Sequence, residues 1–159
     1  MTNLKSNEAL VELNAQEREI EQLQILLANY QLYYQNLRNF HWNVGGNDFF
    51  ELHAKFEELY NDASDKVDEV AERVLTLGGH PLGNFSDYVA ISTIQEANSN
   101  CSGSDMVNQV IESHNILIGK VKEVIVEANE NDDEGTLDIL PAYVSYLEKL
   151  NWMFKAYLR

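Results

Sequence analysis

Apolar residues recur along this chain at intervals of three, four and seven, the spacing that lines one face of a helix. Leu10, Leu13, Ile20, Leu23, Leu27, Tyr30, Tyr34 and Leu37 predict a first helix over about 7–40, with Glu17, Glu19 and Glu21 mostly on its other side. The Tyr30/Tyr33/Tyr34 cluster reads as core and interface packing. A turn follows over 43–47. Asp48 with Glu51 three residues later has the form of a capping box, so a second helix begins there. Its stripe is Phe49, Phe56, Leu59, Tyr60, Ala63, Val67, Val70, Val74 and Leu77, and it stops at Gly78-Gly79 with Pro81 just beyond.

Between Leu82 and Asp105 runs a connection too long for a plain loop in a compact domain. Tyr88, Val89, Ile91 and Ile94 predict a short helix within 85–96. A third helix starts near Ser102–Asp105 and turns Met106, Val107, Val110, His114, Leu117, Val121, Val124, Ile125 and Ala128 inward. An acidic turn, EANENDDE over 127–134, leads to a last helix with Leu140, Tyr143, Val144, Leu147, Leu150, Phe154 and Leu158 inside. Taking Asp138 as its N-cap puts Pro141 at the third helical position, where proline forfeits no intrahelical bond. The long connection lets the third helix run parallel to the second. The expected fold is therefore all-α, one domain over 1–159: a four-helix bundle of the ferritin-like kind, with an extra short helix in the crossover.

Charge narrows the function. The chain of 159 residues carries a net charge of −15, and its 11 Lys and Arg are scattered with no cluster beyond Lys120 and Lys122. A surface that grips nucleic-acid phosphates needs a basic patch; an acidic surface draws in cations instead. No stretch approaches the roughly 20 apolar residues of a membrane span. The beginning of the chain lacks the pattern of a signal peptide, and the single Cys101 fits a reducing compartment, so a cytoplasmic location is expected. Cys101 itself reads as a passive thiol in a polar loop.

The chemistry concentrates in 39–83. His53 and Glu57 stand four residues apart, as do Asp68 and Glu72, so each pair shares a helix face. From 53 to 68 is about 22 Å along a helix, whereas a metal–ligand bond is about 2 Å. The pairs cannot meet in one chain. Two copies of the helix laid antiparallel across a two-fold axis near Asp62 and Ala63 bring them together, with the small Ala63 and Ser64 allowing close approach; such an interface creates two identical sites. His41, just before the Gly45-Gly46 turn, can fold back as a second imidazole. Mixed imidazole and carboxylate donors suit iron or zinc. None of the four histidines follows a Glu by three positions, which disfavours the Glu-x-x-His di-iron centre inside a single bundle. Nucleophile elbows, phosphate loops and CxxC pairs are also missing. His80 reads as a turn residue and His114 as a hydrogen-bonded core or interface histidine.

NFHWNVGG, then FELH, D-x-x-x-E, LGGHPLG, FSDYVAISTI and finally LEKLNWMFKAYL make the chain resemble the Dps family, the miniferritins of starved bacteria, over essentially its whole length. The resemblance implies a dodecameric hollow shell that oxidises Fe(II) preferentially with hydrogen peroxide and stores ferric mineral. It implies that His41 and His53 of one subunit bind iron with Asp68 and Glu72 of its partner. Glu57 stands where relatives often carry Asp, Trp42 matches a tryptophan that takes up oxidising equivalents, and Asp133 and Asp138 fall where acids line three-fold pores that admit iron. Zinc is an alternative occupant. Relatives that compact the nucleoid often use a lysine-rich N-terminal tail; here only Lys5 precedes the first helix, so direct DNA binding is not expected.

Overall fold

The computed structural model describes residues 12–159, which form five helices and no strand. The first, α1 (Ala15–Asn43), starts later than the apolar spacing implies. Positions 7–11 lie outside the described residues, and 12–14 are not helical. A local polar pair decides the boundary: Asn14 Oδ1 accepts the Glu17 N–H at 3.0 Å, and the Glu17 carboxylate accepts the Asn14 N–H at 2.9 Å. This reciprocal cap satisfies two donors that a helix start otherwise leaves unpaired. Leu13, placed by periodicity in the core, is consequently exposed. The rest of α1 is the axis of the molecule, packed against α2 (Phe49–Thr76), α4 (Gly103–Glu130) and the short α3 (Phe85–Ile91). Leu23, Leu26, Leu27, Tyr30, Leu37 and Phe40 are all essentially inaccessible.

The helix order follows from which ends meet. Gln16 Nε2 at the start of α1 donates to the Leu77 carbonyl at the end of α2, so those two helices are antiparallel. Arg18 pairs with Glu127 and Glu130 in the last turn of α4, which therefore descends beside α1 as α2 does. The last helix, α5 (Glu134–Tyr157), returns: Asp133 at its start pairs with Arg73 near the end of α2, and Tyr157 near its end donates to Asp48 at 2.8 Å. Two antiparallel pairs joined by one crossover give the expected ferritin-like bundle.

The crossover is held to α1 by amide side chains, Gln24, Asn29 and Asn36 foremost. Gln24 donates to the His80 carbonyl and accepts the Leu82 N–H; Asn36 donates to the Gln95 carbonyl and accepts the Ala97 N–H. Between them the buried Asn29 Oδ1 takes donors from Ser92 Oγ and from the N–H groups of Thr93 and Ile94. Extended backbone crossing a bundle has no ladder partner, so side chains supply its bonds. These bonds also explain why α3 ends at Ile91 rather than near Glu96: the amides of Thr93 and Ile94 are already committed to Asn29.

Two other caps differ from expectation. Asp48 does begin α2, but its side chain makes no cap bond and instead accepts from Tyr157. The far end of α2 is as expected. Gly78 has φ +84°, its N–H reaching the Leu75 carbonyl while the Gly79 N–H reaches Val74, the paired closure that a left-handed glycine permits.

The N-cap of α5 is Asp133, not Asp138, and Pro141 lies inside the helix. Asp133 accepts from the N–H groups of Gly135 and Thr136 and from Thr136 Oγ1 at 2.6 Å, besides pairing with Arg73. That set of bonds outweighs the one backbone hydrogen bond that Pro141, on the exposed side, removes.

Beside this cap lies the buried Glu19, whose Oε2 accepts from Asn131 at 2.6 Å while Oε1 has no hydrogen-bond partner. Burial, then the facing Asp133 carboxylate, push the Glu19 carboxyl up. Burial acts upward on Asp133 too, but Arg73 and Thr136 hold it well below the usual carboxylate range. The signs oppose. Asp133 lends stability that is lost as pH falls below that range, whereas Glu19 costs stability as pH rises through its raised value. Glu19→Gln, whose amide can donate to Asp133 while its oxygen keeps the Asn131 bond, is expected to stabilise the protein by about 1 kcal/mol at neutral pH. The gain should shrink toward pH of about 4, where Glu19 is protonated. Urea melts of both proteins at the two pH values test this, and a destabilised variant at neutral pH would contradict it.

Candidate metal centre

His41 lies in the last turn of α1 and His53 in the second turn of α2. Gly46, at φ +97°, lets the short connection reverse, and Val44 buries its side chain beneath it. The reversal stacks the two imidazoles with centroids 3.7 Å apart and planes 18° from parallel. Each ring is then clamped by the other residue's backbone: His41 Nδ1 donates to the His53 carbonyl at 2.8 Å, and His53 Nδ1 to the His41 carbonyl at 2.7 Å. A carbonyl only accepts, so both Nδ1 atoms carry hydrogen and Nε2 is the nitrogen of each ring left to meet a metal. Fixing the tautomer through the second nitrogen is how metal-binding histidines are prepared. The clamp also uses the His41 carbonyl, which the end of α1 would leave without an intrahelical partner.

Aromatic rings wall the pair. Phe49 stacks on the other face of His53 at 4.9 Å, and Tyr60 meets His41 edge-on at 5.3 Å. Beneath them Phe40 packs on Phe56 at 5.6 Å. Trp42 is 58% exposed beside His41, with the Arg38 guanidinium 4.8 Å over its ring. The walls Phe49 and Tyr60 were placed by periodicity in the core stripe; their contact with imidazole depends on the reversal at 44–48, which spacing does not reveal.

The carboxylates stand apart from this pair. Glu57, Asp68 and Glu72 are exposed on α2, and none of their side chains makes a hydrogen bond or ion pair among the described residues. Fifteen residues separate His53 from Asp68, about 22 Å of helix. Accordingly, among the described residues of one chain no group of three or more His, Cys, Asp or Glu is arranged to hold a metal. The stripe that bears His53, Glu57, Asp68 and Glu72 also carries Ser64, exposed near its midpoint. Ala63 does not belong to it. It is wholly buried in the chain's own core, so only Ser64 of the two small residues is free to face a second copy. Next to it Asp62 pairs with Lys66, whose ammonium lies 4.3 Å over Tyr146 and 5.1 Å over Tyr143.

Of the two pore candidates, Asp138 is exposed on α5 while Asp133 is engaged as the cap described above. The other two histidines are where the sequence suggested. His80 is an exposed turn residue, and His114 is buried with both ring nitrogens bonded. Cys101 is half-buried, its thiol donating to the Asn98 carbonyl, and burial pushes it up, away from the thiolate.

A bundle of this topology with an open pair of imidazoles defines a class: the family model described as Ferritin, ferritin-like domain, matches residues 20–159. Within that class the similarity is specific. A DNA protection during starvation protein of Brevibacillus brevis is 44% identical over 132 residues, covering 83% of this chain and 89% of the relative. The Dps crystal structure from Bacillus brevis superposes with a TM-score of 0.89 at 40% identity, covering 93% of this chain and 99% of that one. That of the Vibrio cholerae O1 protein, described as belonging to a broad superfamily of ferritin-like diiron-carboxylate proteins, gives 0.88 at 38% identity over the full length of both. The chain belongs to the Dps family of ferritin-like proteins.

Proposed function

We propose that this protein is a ferroxidase and iron-storage miniferritin, acting at sites shared between two-fold-related copies within a dodecameric shell. One observation carries the reading: the reciprocal clamp that commits both Nδ1 atoms of His41 and His53 and leaves both Nε2 atoms without a hydrogen-bond partner among the described residues. An antiparallel second copy supplies the missing donors, the partner subunit's Asp68 and Glu72, with Glu57 available from the histidine-bearing chain. Imidazole and carboxylate together hold Fe(II), and Zn(II) fits the same donors. Exposed rings such as Phe50, Phe85 and Trp152 are the kind of surface that contacts between subunits cover.

Iron is the substrate. Two Fe(II) ions each give one electron to hydrogen peroxide, the O–O bond breaks, and with two protons two waters form. The resulting Fe(III) hydrolyses to mineral inside the shell. Trp42, exposed beside His41, is placed to absorb a stray oxidising equivalent. Acids around 127–138, Asp138 foremost because Asp133 is already bonded, supply the field that draws Fe(II) inward. The net charge of −15 per copy opposes DNA phosphates, so protection of DNA follows from removing Fe(II) and peroxide together, rather than from compaction.

Adding peroxide to the anaerobic protein loaded with Fe(II) tests this. Ferric absorbance is expected to rise far faster than in a protein-free control, with two irons oxidised per peroxide, on a particle eluting at the size of a multi-subunit shell. A rate equal to the control would remove the ferroxidase assignment.

A further inference from the structure

Tyr33 and His114 face each other in the centre of the bundle, 2% and 0% exposed. The Tyr33 hydroxyl lies 2.8 Å from His114 Nε2, and His114 Nδ1 lies 2.7 Å from Asn151 Oδ1. Asn151 in turn donates to Asn115. The amide oxygen can only accept, so Nδ1 holds the imidazole hydrogen and Nε2 receives the phenolic one. Burial lowers the imidazole to about 4, so it is neutral and its lone pair is available at neutral pH.

The neighbouring tyrosine lacks such a base. The Tyr30 hydroxyl is equally buried and makes no hydrogen bond. This difference matters for oxidation. A phenol that loses an electron becomes a strong acid and must shed its proton, and in an apolar interior the charged radical cation is costly unless a base stands in contact. Tyr33 has that base; Tyr30 does not.

Ring contacts and one peptide link connect Tyr33 with the imidazole pair. His41 meets Tyr60 at 5.3 Å, and Tyr60 meets Tyr34 at 6.1 Å. Tyr34 is bonded in sequence to Tyr33, and Tyr30 lies 6.2 Å from Tyr33 on the same helix. No other route of side-chain packing is required.

We propose that Tyr33 and His114 form an internal proton-coupled electron donor, which supplies the second electron when peroxide meets a site holding only one Fe(II). The inference rests on the peroxide-ferroxidase reading above. Fe(II) gives one electron and Tyr33 the other; the Tyr33 proton passes to His114 Nε2; two solvent protons and the cleaved O–O bond yield two waters. The products are Fe(III), a neutral tyrosyl radical and an imidazolium that keeps its bond to Asn151. A later Fe(II) ion restores the phenol by returning one electron, with the proton moving back. The hole is thereby stored in the core instead of leaving as hydroxyl radical.

Two arms separate this from the ferroxidase assignment. In the first, the metal-free shell is oxidised by flash-generated ruthenium(III) tris-bipyridine and frozen for electron paramagnetic resonance. A persistent tyrosyl signal is expected in the native protein and in Tyr30→Phe, and its loss in both Tyr33→Phe and His114→Gln. Gln keeps an oxygen to accept the Tyr33 hydrogen bond but takes no proton, so a merely structural histidine would leave the signal intact. Circular dichroism monitors the fold of each variant. The proposal is overturned by no persistent signal in the native protein, by its survival in Tyr33→Phe, or by its survival in His114→Gln. The second arm repeats the measurement with less than one Fe(II) per site and excess peroxide, where the same pattern is expected and the native signal in Tyr33→Phe would again overturn it. Should the native shell not oxidise Fe(II) at all, the ferroxidase reading fails, and the iron-free arm still decides whether Tyr33 and His114 act as a donor.

Discussion

Replacing His41 and His53 together with alanine is expected to lower the rate of Fe(II) oxidation by peroxide at least about a hundredfold. Loss of outer-shell partners alone commonly costs 10–100-fold in metal affinity or activity, and this change removes both imidazoles outright. The bundle should survive it. The two rings contribute two hydrogen bonds and part of a stack, together about 2 kcal/mol, and alanine avoids the helix penalty of glycine. Size-exclusion elution should therefore be unchanged while ferric absorbance grows at the protein-free rate. Mixing supplies a sharper version. Subunits lacking the histidines, refolded with subunits in which Asp68 and Glu72 are replaced by Asn and Gln, form mixed dimers with one intact site of two. Random pairing then restores about a quarter of the native sites, from two parents that have none. No recovery in the mixture would mean that histidines and carboxylates do not meet across a two-fold axis.

Phe56→Ala carries the largest expected cost in stability. The ring is wholly inaccessible and packs on Phe40 at 5.6 Å, on the seam between α1 and α2. Removing a buried phenyl group typically costs about 3–5 kcal/mol, through lost burial and the cavity left behind. Urea unfolding at fixed subunit concentration measures it, since assembly otherwise shifts the midpoint. The same variant should weaken iron binding, because Phe40 directly precedes His41 and Phe56 lies one turn beyond His53. A loss under about 1 kcal/mol would show that the seam closes over the gap.

Much of this is legible in the sequence, and the places where it is not share a cause. The stripes of α2 and α4 read correctly because apolar spacing reports directly on which side of a helix is buried. Caps were less readable. Periodicity carried α1 back to about 7, but Asn14 and Glu17 close it at Ala15. Local proline chemistry favoured Asp138 as a cap, but Arg73, sixty residues away, holds Asp133 in that role. Asp48 had a suitable acid three residues on and was taken instead by Tyr157 from the far end of the chain. In each case a short polar side chain had several partners of similar strength, and the choice depended on which one the packed bundle brought near.

From the sequence alone came the helical stripes, the long crossover, the acidity and the histidines and carboxylates held too far apart to serve one chain. Only the tertiary structure decided that His41 and His53 lock each other's Nδ1 atoms, that Ala63 turns inward, and that Tyr33 has a base while Tyr30 has none. Periodicity reports the environment of a face averaged over several turns. Hydrogen-bond partners and tautomers depend on a few tenths of an ångström between segments distant in the chain, and those distances are set only when the helices have packed.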